Sequence, residues 1–259
     1  MTAKAEEQWW EEFYDETFST LLLDRDDDKT LPDVVAFLKN KLHLNPGDVI
    51  FDQCCGTGSI SHALAKEGFK ACGVDLIPSY IKKAQLIAQE QNLDCLFDTG
   101  DAFSYTTAAP CDAAINWYTS FGYVEDDQKN IEMLHRVYGS LKPGGYFALD
   151  YSHGPGQLRK ATQSETEEIT HELPEGTLHV TREYYFDLIR GMRGSTWTYT
   201  FPDGQQQQKS GESRLYMPKD IYELVKKAGF ADIEFYGDYK GAKLELDSPR
   251  CICVARKEA

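Results

Sequence analysis

The chain has 259 residues, 41% hydrophobic and 27% charged, enough to bury a sizeable core in one large domain. Its 27 basic against 42 acidic residues give a net charge of −15. That balance argues against nucleic acid and anionic membranes, which need a positive footprint. It suits a cationic or neutral small substrate, or serves solubility alone.

Trp10, Phe13, Tyr14, Thr17, Phe18 and Leu21 recur at three- and four-residue spacing, which predicts a first helix face. The charged run Asp24 to Lys29 breaks that pattern. A second helix is expected over 31–42, with Pro32 in its first turn. Asn45-Pro46-Gly47-Asp48 reads as a turn, and Val49-Ile50-Phe51 as a buried parallel strand. Helix over 60–66, strand over 69–74 and helix over 78–91 follow. Short strands at 95–97 and 111–116, a helix over 130–141 and a strand over 146–151 complete the alternation, with Lys142-Pro143-Gly144-Gly145 stopping the last helix. Four strand–helix alternations predict a parallel sheet covered by helices on both faces.

Beyond residue 152 the pattern changes. Residues 178–189 and 195–201 are rich in β-branched and aromatic side chains, and Pro202-Asp203-Gly204 is a hairpin signal. Residues 205–216 read as a third, polar strand. A helix over 218–228 and strands over 233–236 and 251–255 close the chain. The expected layout is a helical cap (1–45), a core (46–152), an antiparallel β lid (153–217) and the remainder of the core sheet (218–259).

The seven cysteines show no Cys-x-x-Cys spacing, so no metal site is expected. The first residues lack a basic-then-apolar leader, and no apolar run reaches the roughly 18 residues of a membrane span. A cytoplasmic chain, monomeric or homodimeric, is the expectation.

Asp52 ends the first strand, and Gly56 and Gly58 follow in the turn before a helix, where glycine lets backbone approach a ligand. Asp75 ends the second strand, where an acidic side chain meets ribose hydroxyls in nucleotide-binding βαβ units. Gly100-Asp101-Ala102 follows the third. A dinucleotide fingerprint from Gly56 would need glycine at position 61, which is Ser61. The set instead resembles class I S-adenosylmethionine (SAM)-dependent methyltransferases over about residues 45–151. The resemblance implies a doubly wound, mostly parallel, seven-stranded α/β sheet of Rossmann-like type, with SAM as cofactor. It implies that Asp52, Gly56 and Gly58 face the methionine part, with Asn116 and Trp117 near that end. Asp75 would hold the ribose, Asp101 and Ala102 the adenine, and Trp10 and Leu76 would join the cofactor set. Cys54 departs from the usual glycine, either reshaping the floor under the methionine tail or replacing glycine without strain.

The acceptor is read from the rings around this loop. Asn116-Trp117-Tyr118-Thr119 lacks the prolines of nucleic-acid base methyltransferases, and the insertion resembles the lid of small-molecule enzymes. Tyr14, Phe18, Tyr118, Phe121, Tyr151, His153 and Arg193 are candidate substrate contacts. Aromatic faces attract cations, and Tyr14 and Tyr118 carry hydroxyls for the acceptor. His153 is either a base or a solvent-exposed loop histidine. The segments 9–14, 51–56 and 116–123 together look like small-metabolite N-methyltransferases, nearest the thiohistidine imidazole enzymes of ovothiol-type pathways; lincosamide N-methyltransferases have a similar layout. Methylation of a small metabolite's oxygen or sulfur, and a SAM-binding protein without turnover, stay as alternatives.

Overall fold

The computed structural model describes residues 9–15, 29–161 and 166–258. Helices α1 (Trp9–Phe13) and α2 (Leu31–Lys41) precede β1 (Val49–Gln53). The chain then alternates through α3 (Ser59–Lys66), β2 (Lys70–Asp75), α4 (Pro78–Glu90), β3 (Cys95–Thr99), β4 (Cys111–Asn116), α5 (Asp127–Ser140) and β5 (Leu141–Ser152). Helix α6 (Gly154–Ala161) leads to β6 (Thr166–Leu173), β7 (Gly176–Asp187), β8 (Met192–Thr200) and β9 (Gln206–Arg214). Helix α7 (Pro218–Lys227), β10 (Ala231–Tyr236) and β11 (Arg250–Arg256) return to the core.

Seven of the described strands form one sheet in the order β10-β11-β5-β4-β1-β2-β3, and β6 to β9 form a second, four-stranded sheet. Strands β1 to β5 pair in parallel, while β11 runs antiparallel between β5 and β10. This is the Rossmann-like, mostly parallel sheet with an antiparallel companion that the sequence predicts. Side chains alternate across it with period two. Ile50, Ile115, Ala148 and Val254 face a core shared with Val35, Leu38 and Leu64 of α2 and α3. Their neighbours Phe51, Ala114, Phe147 and Cys253 face Leu134, Val137, Leu224 and Val225 of α5 and α7. Strands buried on both faces leave no polar alternation, which is why they read as short apolar runs.

The second sheet packs α1 against its inner face through Phe13, Leu178, Val180, Trp197 and Tyr199. Gly211 lies under the Trp9 indole: a Cβ there would stand 2.4 Å from a ring carbon. The Pro202-Asp203-Gly204 turn joins β8 to β9 as expected, with the Phe201 N–H donating to the Gln205 carbonyl at 2.9 Å.

Several local expectations change. Helix α5 begins at Asp127 rather than 130, because Asp126 caps it by accepting the Gln128 N–H at 2.8 Å. Residues 142–145, expected only as a stop, sit inside β5 as an irregularity, with the register stepping from Cys111↔Leu141 to Ala113↔Tyr146. Helix α6 and strand β6 were not anticipated. The Gly154-Pro155-Gly156 opening reads as a loop, and β6 is an edge strand of Thr, Glu and His. Thr17, Phe18, Leu21 and Asp24 to Asp28 lie outside the described residues. Among the described residues no helix is long and apolar enough to cross a membrane, and no metal-ligating cluster occurs.

Candidate active site

The site lies at the carboxyl ends of β1, β2 and β4, where open α/β sheets bind ligands. After β1 the backbone turns sharply through left-handed positions at Cys54 (φ 62°), Gly56 (φ 56°) and Gly58 (φ 80°) into α3. Gly58 has a second constraint: a Cβ would stand 2.8 Å from the Phe97 ring. Cys54 holds a glycine-like conformation as a non-glycine residue, at a cost of about 1–2 kcal/mol. Its side chain lines both cavities, and the left-handed φ shows that it does not replace glycine without strain. Burial pushes its thiol well above the ordinary range, leaving it neutral and unreactive.

Two cavities meet over this turn. The smaller, about 120 Å³, runs between Trp10, Asp75, Leu76, Asp101, Ala102 and Phe103. The Asp75 carboxylate accepts the Gly56 N–H at 2.9 Å and the Ile77 N–H at 3.0 Å, fixing the turn to the end of β2. Burial raises its pKa. A half-buried acid sharing one narrow cavity with Asp101 and Ala102 fits a ribose and an adenine, so the residues present fit SAM. The larger cavity, about 650 Å³, is enclosed by the loop after β4, α1 and the inner face of the second sheet. Tyr14, Cys54, Gly56, Ser120 and Tyr123 belong to both cavities and form their junction.

The loop after β4 is held by a buried network. Asp150, fully buried at the end of β5, accepts from Arg250 Nε at 2.7 Å and Nη2 at 2.6 Å, from the Tyr118 N–H at 3.1 Å and from the Tyr239 hydroxyl at 3.2 Å. Arg250 also donates to Thr119 Oγ1 at 3.1 Å. Tyr118 and Thr119 have φ of 56° and 68°, so this network sustains a strained turn. At the junction the Tyr14 and Tyr123 hydroxyls lie 2.5 Å apart. Burial pushes the Tyr14 phenol up to about 12 and raises Tyr123 well above the ordinary range.

The structure brings together Trp10, Tyr14, Cys54, Gly56, Asp75, Leu76, Asp101 and Ala102 around the smaller cavity. Asp52, Trp117, Tyr118 and Arg193 line the larger one. The other candidates sit elsewhere. Gly58 lines neither cavity and is a packing position. Asn116 is fully buried behind the loop and donates to Gln53 Oε1 at 3.1 Å and the Ser120 carbonyl at 3.4 Å, holding the wall from outside. Phe121 and Tyr151 are buried with Tyr216 where the second sheet anchors to the core, and the Tyr151 hydroxyl donates to the Arg214 carbonyl. His153 is neither an exposed loop residue nor a cavity residue. Its ring is buried beneath α6, with Nδ1 without a hydrogen-bond partner, and burial lowers its pKa. Phe18 lies outside the described residues. Arg182, Tyr184, Trp197 and Arg250 line the larger cavity and were not singled out. A usable signal existed in β7, where Arg182 alternates in phase with Leu178 and Val180, so a charged side chain shares an apolar face.

Residues 50–145 match a methyltransferase-domain family. A Geobacillus protein (strain WCH70) carrying a methyltransferase name is 26% identical over 213 residues, 80% of this chain and 84% of its own. A SAM-dependent methyltransferase from Clostridium acetobutylicum shares the fold at a TM-score of 0.76 and 18% identity, covering 96% of this chain and 99% of its own. The sugar N-methyltransferase KedS8 from Streptoalloteichus sp. does so at 0.71 and 17%, covering 91% and 89%.

Proposed function

We propose that this SAM-dependent methyltransferase transfers the methyl group to a nitrogen of a small polar metabolite, in the narrowest form the imidazole nitrogen of a histidine-derived thiol. One observation carries the choice of nitrogen. The described side chains at the junction of the two cavities are two phenols and a thiol whose pKa values are raised by burial, together with Ser120. None of them takes up a proton near neutral pH. A hydroxyl acceptor needs its proton removed, whereas a neutral amine or imidazole presents its lone pair directly. The sugar N-methyltransferase fold relative is consistent with this reading. A cavity of about 650 Å³ suits a small molecule. The free cysteines fit a reducing cytoplasm.

Bound SAM supplies a methyl group on a positively charged sulfur. The chain's contribution is to hold both partners in line and to keep water out. Asp75 fixes the turn and faces the ribose. The Tyr14–Tyr123 pair, one hydroxyl donating to the other, presents electron-rich rings to positive charge at the junction. Tyr118 and Trp117, set by Asp150, form the far wall. A surplus proton on the methylated nitrogen would leave with the product into solvent, so the chain need supply no base for it.

Asp52 adds a pH dependence. It is buried, accepts the Ser61 hydroxyl at 2.7 Å, and burial raises its pKa from 3.8 to about 7. The folded chain therefore holds a proton that the unfolded chain has released, and the unliganded protein loses stability as pH rises from about 4 to 7. A cationic donor favours the carboxylate, so its binding expels that proton. Affinity for SAM is expected to strengthen severalfold between pH 6 and 8, with proton release measured by calorimetry in buffers of different ionisation enthalpy. Asp52→Asn should bind more weakly and without that pH slope; an unchanged slope would remove Asp52 from the donor site.

Incubation with radiolabelled SAM and a panel of imidazole, amine, hydroxyl and thiol acceptors tests the proposal. Label is expected on imidazole or amine members. Transfer to hydroxyl acceptors alone would overturn the nitrogen assignment.

A further inference from the structure

We propose that Arg182 and Arg193, on the inner face of the second sheet, receive a carboxylate group of the acceptor. This rests on the larger cavity being the acceptor chamber, and not on which atom takes the methyl group. The register places both side chains on one face, with Arg182 opposite Trp197 and Arg193 opposite Phe186. Arg182 lies over the Trp197 and Tyr184 rings at 4.4 and 4.5 Å, and Arg193 over Tyr184 at 5.8 Å. Stacking fixes a guanidinium plane and leaves its edges for hydrogen bonding. In both residues the Nε group is buried and has no hydrogen-bond partner. A buried donor of that kind is costly unless something fills its place.

The charges around the chamber do not balance. Arg250 is matched by Asp150, and Lys209 by Asp15. Glu212 is engaged by Arg190 and by the Tyr185 hydroxyl, and Asp52 by Ser61. What faces the two arginines among the described residues is Glu167. It stands 3.9 Å from Arg182 and accepts the Tyr184 hydroxyl at 2.8 Å. Two guanidiniums against one carboxylate leave one positive charge unmatched. Burial first, and Arg193 among the neighbouring charges, hold the Arg182 pKa below its ordinary value, as expected of cations awaiting an anion. A single excess charge calls for a monoanion. A phosphate dianion would meet Glu167 on the same wall, while a planar carboxylate suits a guanidinium edge. The chain's overall acidity therefore conceals a positive acceptor wall, against the cationic or neutral substrate that the net charge suggests.

Calorimetry with S-adenosylhomocysteine saturating the donor site tests this on matched pairs: histidine and histamine, tyrosine and tyramine, lysine and cadaverine. In whichever pair binds, the carboxylate member is expected to bind at least about tenfold more tightly. Arg193→Gln should reduce that ratio below about threefold with S-adenosylhomocysteine affinity unchanged within about twofold, and Arg193→Lys should restore part of it. Unchanged donor binding shows that the variant folds. Equal binding of the amine members overturns the proposal, as does a ratio that survives Arg193→Gln, or failure of every carboxylate member to bind. Inorganic phosphate competing more strongly than acetate overturns the choice of carboxylate. Methylation found on oxygen or sulfur with the ratio intact would remove the nitrogen assignment and leave this inference standing.

Discussion

Asp150→Ala is expected to destabilise the protein by about 2–4 kcal/mol, somewhat below the cost for a fully buried pair because the Arg250 guanidinium is half-buried at the cavity wall. The carboxylate is fully buried, accepts two hydrogen bonds from Arg250, and also receives the Tyr118 N–H and the Tyr239 hydroxyl. Removing it orphans all four donors and releases the left-handed turn at Tyr118 and Thr119. Trp117, stacked on Tyr239 with centroids 5.8 Å apart, should lose its place as well. Urea unfolding measures the stability, and indole fluorescence reports the Trp117 environment. Replacing the pair together, Asp150→Leu with Arg250→Met, should cost clearly less than the single change, because no buried charge remains. A single variant within about 1 kcal/mol of the parent would mean that water reaches Arg250 and that the network does not hold the loop.

The second large effect is expected at Asp75→Asn. The carboxylate receives the Gly56 and Ile77 N–H groups, and asparagine offers one acceptor oxygen in place of two. Its amide NH₂ would face an N–H or a ribose hydroxyl. Loss of one to two hydrogen bonds to a charged acceptor is worth about 1.5–3 kcal/mol each. Affinity for S-adenosylhomocysteine should fall by roughly 10- to 100-fold by calorimetry. Affinity within about threefold of the parent would place the ribose elsewhere.

Legibility in the sequence followed the range of the interactions. The turn over Asp52 to Gly58, Asp75, and Asp101 with Ala102 could be read because each follows a short apolar strand at a fixed distance, and the sheet brings strand ends together. The alternation of β1 to β5 was legible for the same reason: burial on both faces writes itself as apolar runs. What the sequence hid depends on tertiary placement. His153 follows a strand that ends near the site, but the turn into α6 carries its ring under that helix. Phe121 and Tyr151 carry the same aromatic character as Trp117, yet packing against Tyr216 makes them an anchor for the second sheet. Strand β6 escaped notice because an edge strand with one exposed face needs little hydrophobic content. Arg182 looks like a surface charge until β7 places it beside Trp197 on the cavity wall, next to Arg193, which the sequence does single out. The net charge of −15 says little about the larger cavity, since it sums the whole chain while Arg182, Arg193 and Arg250 line that cavity.

Methyl transfer is proposed to end on nitrogen, in a chamber where the described junction side chains Tyr14, Cys54, Ser120 and Tyr123 take up no proton near neutral pH. It is tested most directly by turnover of ¹³C-methyl-labelled SAM with an accepted substrate, followed by carbon–proton correlation spectroscopy of the isolated product. The account predicts a labelled methyl with through-bond correlations across nitrogen to the acceptor's ring or chain carbons, formed together with S-adenosylhomocysteine. A labelled methyl on oxygen or sulfur would contradict it.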